Sequence, residues 1–241
     1  MKIINRLCSV TRFVLIMLAI AGCGSVGGRA CVDIGCEYLG ATYTADPLGE
    51  AMPPDVDPLI RTDAFDCTTF VETALAGGNL KKLNKIRYKN GDVDFLNRNH
   101  FIETDWLINN AGLVENVSSE YGPTARRDVA IDKQNWMRVV HGINTDFAPL
   151  AVVLEYIPYE YVKNIRVAKP MIVLFISGKS EKNDKIGTDI AVRHMGFLLP
   201  NGMLRHASSQ AGCVVDVDFD EYVQMRSADK NNIGIMLVEI K

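Results

Sequence analysis

The last third of the chain constrains the fold most. From Lys169 onward the apolar pattern is that of strands. Met171 to Ile176 is an unbroken apolar run, as expected of a central strand. Ile190 to Leu199 reads as a second strand, and Met203 to Ser208 as a third after the turn residues Pro200-Asn201-Gly202. Val214 to Phe219 alternates, and Gly234 to Ile240 closes the chain. Upstream lies one clear helix pattern, so the expected class is α+β, a helix first and an antiparallel sheet after it.

That helix begins in Ala64-Phe65-Asp66-Cys67-Thr68-Thr69-Phe70-Val71-Glu72 and stops at Gly77-Gly78. Phe70, Val71, Ala74 and Leu75 make its apolar stripe, and Asp66 or a nearby threonine is positioned to cap it. Cys67 then falls in the first turn, where the helix dipole favours thiolate over thiol. A cysteine enzyme would place its nucleophile there. A small buried hydrophobe fits the same position, so this stretch alone leaves both readings open.

Two of the 4 histidines, His194 and His206, fall on the two arms of the predicted hairpin. A two-residue Asn201-Gly202 turn would put them on opposite faces. A three-residue Pro200-Asn201-Gly202 loop, with Gly202 left-handed in a bulge, would put them on one face. In that register His194 faces Ser208, and His206 lies on the neighbouring diagonal. One imidazole can then serve Cys67 as base while the other orients it. A metal site built from His194, His206 and a carboxylate such as Asp189 competes with this reading.

The N-terminus reads as a processed leader. Lys2, Arg6 and Arg12 precede the apolar run Phe13 to Ala21, which is too short for an ordinary membrane span. It ends in Ile20-Ala21-Gly22-Cys23, which resembles the lipobox of bacterial lipoproteins. That resemblance implies a signal peptide over 1–22, lipidation of Cys23, a tether over 23–39 and one catalytic domain over 40–241. A plain secretory signal is the alternative. With Gly24 after the cysteine, the resemblance implies an exported, periplasmic lipoprotein anchored in the outer membrane. In such an oxidising compartment Cys31 and Cys36 can pair, and Cys67 with Cys213 is a further option that would abolish a nucleophile. A net charge of -3 gives no reason to expect nucleic acid as a partner, and paired zinc-spaced cysteines are missing from the sequence.

In the middle of the chain, Leu80 to Tyr88 is basic and partly helical in pattern. Asn90-Gly91 predicts a hairpin between Ile86–Tyr88 and Val93–Phe95. Asn97-Arg98-Asn99-His100-Phe101-Ile102-Glu103-Thr104-Asp105-Trp106 gathers amide, guanidinium, imidazole, carboxylate and indole groups. It reads either as a solvated segment with one buried tryptophan or as part of a binding cleft.

Tyr43 in Gly40-Ala41-Thr42-Tyr43, then Phe65 to Glu72, then His194-Met195-Gly196-Phe197, then Leu204-Arg205-His206-Ala207-Ser208 occur in a telling order. It resembles that of the NlpC-type, papain-like bacterial cell-wall hydrolases, and more narrowly of their N-acetylmuramoyl-L-alanine amidase-like subfamily. The resemblance implies Cys67 as nucleophile, His194 as base and His206 as the orienting group, with Asp66, Tyr43, Asn99, His100 and Trp106 around the substrate. It implies a monomeric cysteine amidase of peptidoglycan that forms a thioester and needs no metal or other cofactor. A D-glutamyl–diamino acid endopeptidase, a non-catalytic peptidoglycan-binding lipoprotein and an acyltransferase are the alternatives. Ala41-Thr42 departs from the pattern before the tyrosine, and Arg193 directly before His194 bears either on its pKa or on solvent.

Overall fold

The structure, a computed structural model, describes residues 33–241. The leader, Cys23 and Cys31 lie outside the described residues. Among the described residues no helix is long and apolar enough to cross a membrane.

The elements follow in chain order as β1 (Thr42–Tyr43), β2 (Ala64–Phe65), α1 (Cys67–Ala76), α2 (Leu80–Arg87), α3 (Leu107–Asn109), β3 (Val114–Asn116), β4 (Ala125–Ile131) and α4 (Lys133–Trp136). Then come β5 (Leu150–Pro158), β6 (Met171–Ser177), α5 (Glu181–Ile186), β7 (Val192–Leu198), β8 (Met203–Ser208), β9 (Cys213–Asp218), α6 (Phe219–Ser227) and β10 (Asn232–Ile240). Wide π-type turns, Ile102–Trp106 and Met137–His141, lead into α3 and follow α4.

One sheet joins the strands in the order β2-β1-β9-β8-β7-β6-β10-β5-β4, with β3 also paired to β10. Among the described residues only the strands β1 and β2 pair in parallel; every other strand pairing is antiparallel. This is the expected α+β arrangement, and β6 is buried along its whole length between β7 and β10. Its unbroken apolar run has a simple cause: both faces are covered. Ile172, Leu174 and Ile176 pack into the core that holds Phe70 and Val71 of α1. Met171, Val173 and Phe175 pack into a second core with Phe219 and Val223 of α6.

The hairpin of β7 and β8 takes the bulged form. Phe197 pairs with Arg205 and Leu198 with Leu204, and Leu199 N–H donates to Met203 O at 2.9 Å. The loop is therefore Pro200-Asn201-Gly202, closed by Gly202 N–H to Leu199 O at 2.9 Å. Gly202 has φ +80, a left-handed backbone that a side chain would strain.

The hairpin expected around Asn90-Gly91 does not form. Residues through Arg87 complete α2, capped by Asn79, whose side chain accepts from Lys82 N–H. Asn90 and Gly91 instead make a tight turn, with Asn90 at φ 57. Leu83 and Ile86 bury the apolar side of α2, so helix packing overrides the turn signal.

Candidate functional site

Asp66 starts the site by starting the helix. Its Oδ1 accepts from Thr69 N–H at 2.8 Å, while Asp66 N–H donates to Thr69 Oγ1 at 3.0 Å. This reciprocal capping box fixes where α1 begins and so puts Cys67 at its first position. Gly77, left-handed at φ 57, closes the other end. Asp66 Oδ2 also accepts from Asp46 N–H at 3.3 Å. Both carboxylate oxygens thus hold local structure, while the side chain lines an adjoining cavity.

Cys67 is the free cysteine among the described residues; Cys36 and Cys213 are disulfide-bonded. A Cys67–Cys213 bridge is therefore excluded. The Cys67 sulfur lies 3.9 Å from Thr68 Oγ1 and takes a backbone hydrogen bond from Met195, the residue after His194. Burial pushes the thiol up to about 12, and the neighbouring Asp66 carboxylate adds to the rise. The expectation of a resting thiolate is corrected accordingly: desolvation and Asp66 outweigh the hydrogen bonds from Met195 and Thr68 that favour the anion.

His194 and His206 meet as the bulged register requires. His194 Nε2 lies 2.7 Å from His206 Nδ1, with the rings near perpendicular at 82°. Gly196 permits this approach: a Cβ there would sit 2.7 Å from Arg205 O and 2.9 Å from His206 Cβ. Burial lowers His194 well below its ordinary range, with His206 and Arg226 adding to the effect. Burial also pulls His206 down to about 4 against the opposing pull of Asp216. Both rings are neutral near pH 7. Among the described residues no hydrogen bond joins Cys67 to His194. Catalytic contacts are commonly looser before substrate binds.

Tyr222 of α6, which the sequence did not single out, closes the group. Its ring centroid is 4.9 Å from that of His206 and 6.0 Å from that of His194. Burial raises its hydroxyl pKa, Arg226 opposes the rise, and the Cys67 charge adds to it. Tyr43 also feels the site: burial raises its hydroxyl pKa, and the charges of Cys67 and Asp66 raise it further. Arg193 turns away from the histidines and donates to Asn183. Asp189 pairs with Arg127 at 2.8 Å and takes a 2.6 Å hydrogen bond from Asn183. Among the described residues no three His, Cys, Asp or Glu side chains form a metal-holding group.

A cavity of about 160 Å³ opens beside α1, lined by Asp66, Thr68, Asn99, His100, Trp136 and His141 among others. His100 Nε2 lies 2.7 Å from Phe95 O, so its N–H donates there. Its ring centroid is 5.0 Å from that of Trp136. Asn99 reaches the cavity wall but spends its amide on Ile86 O and on Asn109. Trp106 does not reach the cavity. It is fully buried in the core with Phe101 and Leu83, so its expected place at the substrate is corrected. The indole at the cavity is Trp136, delivered by α4.

Fold and site together define a class: an α+β domain that brings a cysteine in the first turn of a helix and a hydrogen-bonded histidine pair to one place. The protein belongs to the AmiA-like family, N-acetylmuramoyl-L-alanine amidase-like, whose profile matches residues 33–231. The fold is similar to a crystal structure of a protein from Legionella pneumophila str. Philadelphia 1, with TM-score 0.77 and 24% identity over 86% of each chain. It is also similar to an N-acetylmuramoyl-L-alanine amidase from Bacteroides uniformis, with TM-score 0.65 and 20% identity over 87% of this chain and 99% of that one. A putative xylanase from Bacteroides fragilis matches with TM-score 0.64 and 23% identity over 85% and 99% of the two chains. A search of curated proteins returns no match.

Proposed function

We propose that the protein is a peptidoglycan amidase that cleaves the N-acetylmuramoyl–L-alanine amide through Cys67, in a papain-like, NlpC-type arrangement. The observation that carries this reading is the convergence of Cys67 with the 2.7 Å His194–His206 pair, within a chain of the amidase-like family.

The neutral resting state dictates the order of events. For His194 to accept a proton at Nδ1, its Nε2 must carry hydrogen and donate to His206 Nδ1. His206 thereby holds the working tautomer. Cys67 gives its proton to His194 Nδ1 as sulfur attacks the lactyl carbonyl carbon. The oxyanion forms at the start of α1, where the Cys67 N–H and the helix dipole favour negative charge. Collapse breaks the C–N bond, and imidazolium His194 protonates the departing alanine amine. Water, deprotonated by His194, then hydrolyses the thioester and regenerates the thiol. The cavity beside α1, with the His100 and Trp136 rings, is placed to hold the peptide or sugar flanking the scissile bond. Export and anchoring through a lipidated Cys23 complete the proposal.

The test is mass spectrometry of a defined muropeptide incubated with the full-length protein. The expected product is an intact peptide with a free alanine N-terminus. A fragment beginning at the diamino acid would replace the amidase by an endopeptidase. No cleavage by folded protein with reduced Cys67 would refute hydrolysis and favour binding or acyl transfer.

A further inference from the structure

Among the described residues, every buried charged side chain has an ion-pair partner except Glu103. Glu72 has Arg87, Glu50 has Arg98, Asp105 has Lys133, Arg127 has Asp189, and Arg205 has Asp216. Glu103 is 2% exposed, on the wide turn Ile102–Trp106. An unpaired buried carboxylate is expensive, so something specific must retain it.

What it holds is the entry to β7. Glu103 Oε1 accepts from two consecutive backbone N–H groups, Ala191 and Val192, each at 2.7 Å. Its Oε2 has no partner. Immediately afterwards the β6–β7 ladder breaks step: Phe175 pairs with His194 but Ile176 with Val192, leaving Arg193 as an extra residue. The carbonyl of Ala191 meanwhile accepts from Ser177 N–H at 2.8 Å. One carboxylate oxygen thus captures the two donors at the bulge.

Strand register has a period of two, so a slip of one residue turns every side chain to the other face. His194 comes two residues after Val192. We propose that Glu103 is a positioning residue that fixes the register of β7, holding His194 in the phase that meets His206 and Cys67. The inference rests on Cys67 and His194 being the reacting pair.

The test compares Glu103→Leu, which keeps bulk and removes the acceptor, with Glu103→Gln, which keeps one acceptor oxygen. Three readouts apply to the full-length protein: cooperative unfolding, the rate of Cys67 alkylation by iodoacetamide at pH 7.5, and the ring N–H resonance shared by His194 and His206. Glu103→Leu is expected to fold, lose that resonance and alkylate at least about ten-fold more slowly. On a muropeptide its kcat falls about 100-fold with KM within about three-fold, the penalty of a misplaced reacting group. Glu103→Gln is expected to recover most of each loss. Wild-type alkylation and resonance in Glu103→Leu would overturn the proposal, as would a Glu103→Gln as impaired as Glu103→Leu. If Glu103→Leu fails to fold, Glu103→Asp carries the test, because it withdraws the acceptor by one methylene. Wild-type behaviour of that variant overturns the proposal, and a Leu-like loss supports it. Alkylation and resonance need no muropeptide. A protein that passes both but cleaves nothing would sink the amidase reading alone.

Discussion

Acid should destabilise this protein through the histidine pair, and His206 allows the size to be worked out. Its pKa is about 4 in the folded protein against 6.5 when unperturbed, with burial the main cause. Between those values the unfolded chain binds a proton that the folded site refuses. The stabilisation is therefore complete above about pH 6.5 and is lost as pH falls towards 4. At about 1.4 kcal/mol per pH unit, the whole displacement is worth about 3 kcal/mol, and about 2 kcal/mol is gone by pH 5. Urea unfolding at pH 7.5 and pH 5 reads this directly. With a slope of about 2 kcal/mol per molar, the midpoint should fall by about 1 M from this source. His206→Asn cannot titrate, so it should show a shallower loss over the same interval. Part of the slope remains in that variant, because His194 is lowered by burial in the same direction. Raised carboxylates such as Glu72 act in the opposite sense and are common to both proteins. If wild type and His206→Asn lose equal stability between pH 7.5 and 5, the buried neutral imidazole is not the cause and the reasoning fails.

Other perturbations have equally definite outcomes. Cys67→Ala should abolish muropeptide turnover and remove the alkylated Cys67 peptide from the mass spectrum while the cooperative unfolding transition persists. Asp66→Asn keeps a capping oxygen but removes the charge that helps raise the Cys67 thiol. Its alkylation at pH 8.5 should run faster than wild type, and an unchanged rate would refute that electrostatic role. Gly196→Ala places a methyl 2.7 Å from Arg205 O, so β8 must move away and carry His206 with it. The shared ring N–H resonance should shift or vanish, with activity falling in parallel. Arg98→Met strands Glu50, whose side chain is 1% exposed and accepts from Arg98 at 2.7 and 2.8 Å. Leaving that carboxylate unpaired should cost about 3–5 kcal/mol in urea unfolding.

The parts of the fold written in local chemistry were legible in the sequence. Asp66, Thr69 and Gly77 specify the ends of α1 by capping alone, and the structure uses them so. Pro200-Asn201-Gly202 restricts its loop to few forms, and the bulged one brought His194 and His206 together. Features decided by distant packing were not legible. Asn90-Gly91 carries a hairpin signal, yet Leu83 and Ile86 find a core that favours helix. Trp106 and Trp136 are both indoles in polar surroundings, and only the tertiary fold sends one into the core and the other to the cavity. Tyr222 reaches the histidine rings and Glu103 the backbone at the entry to β7, each from another element, with no local pattern to announce them. The protonation state of Cys67 is hidden from sequence for a related reason. A helix terminus can be read from sequence, but the desolvation that raises the thiol cannot.

The high pKa of Cys67 also bears on survival. This chain forms disulfides at Cys36 and Cys213, while Cys67 is a free thiol among the described residues. Thiol–disulfide exchange proceeds through thiolate, and burial that pushes the thiol up to about 12 lowers the thiolate present at neutral pH. Small oxidants and stray disulfides therefore react more slowly with Cys67 than with an exposed thiol. The burial that would delay activation of the proposed nucleophile thus also gives its sulfur a long shelf life.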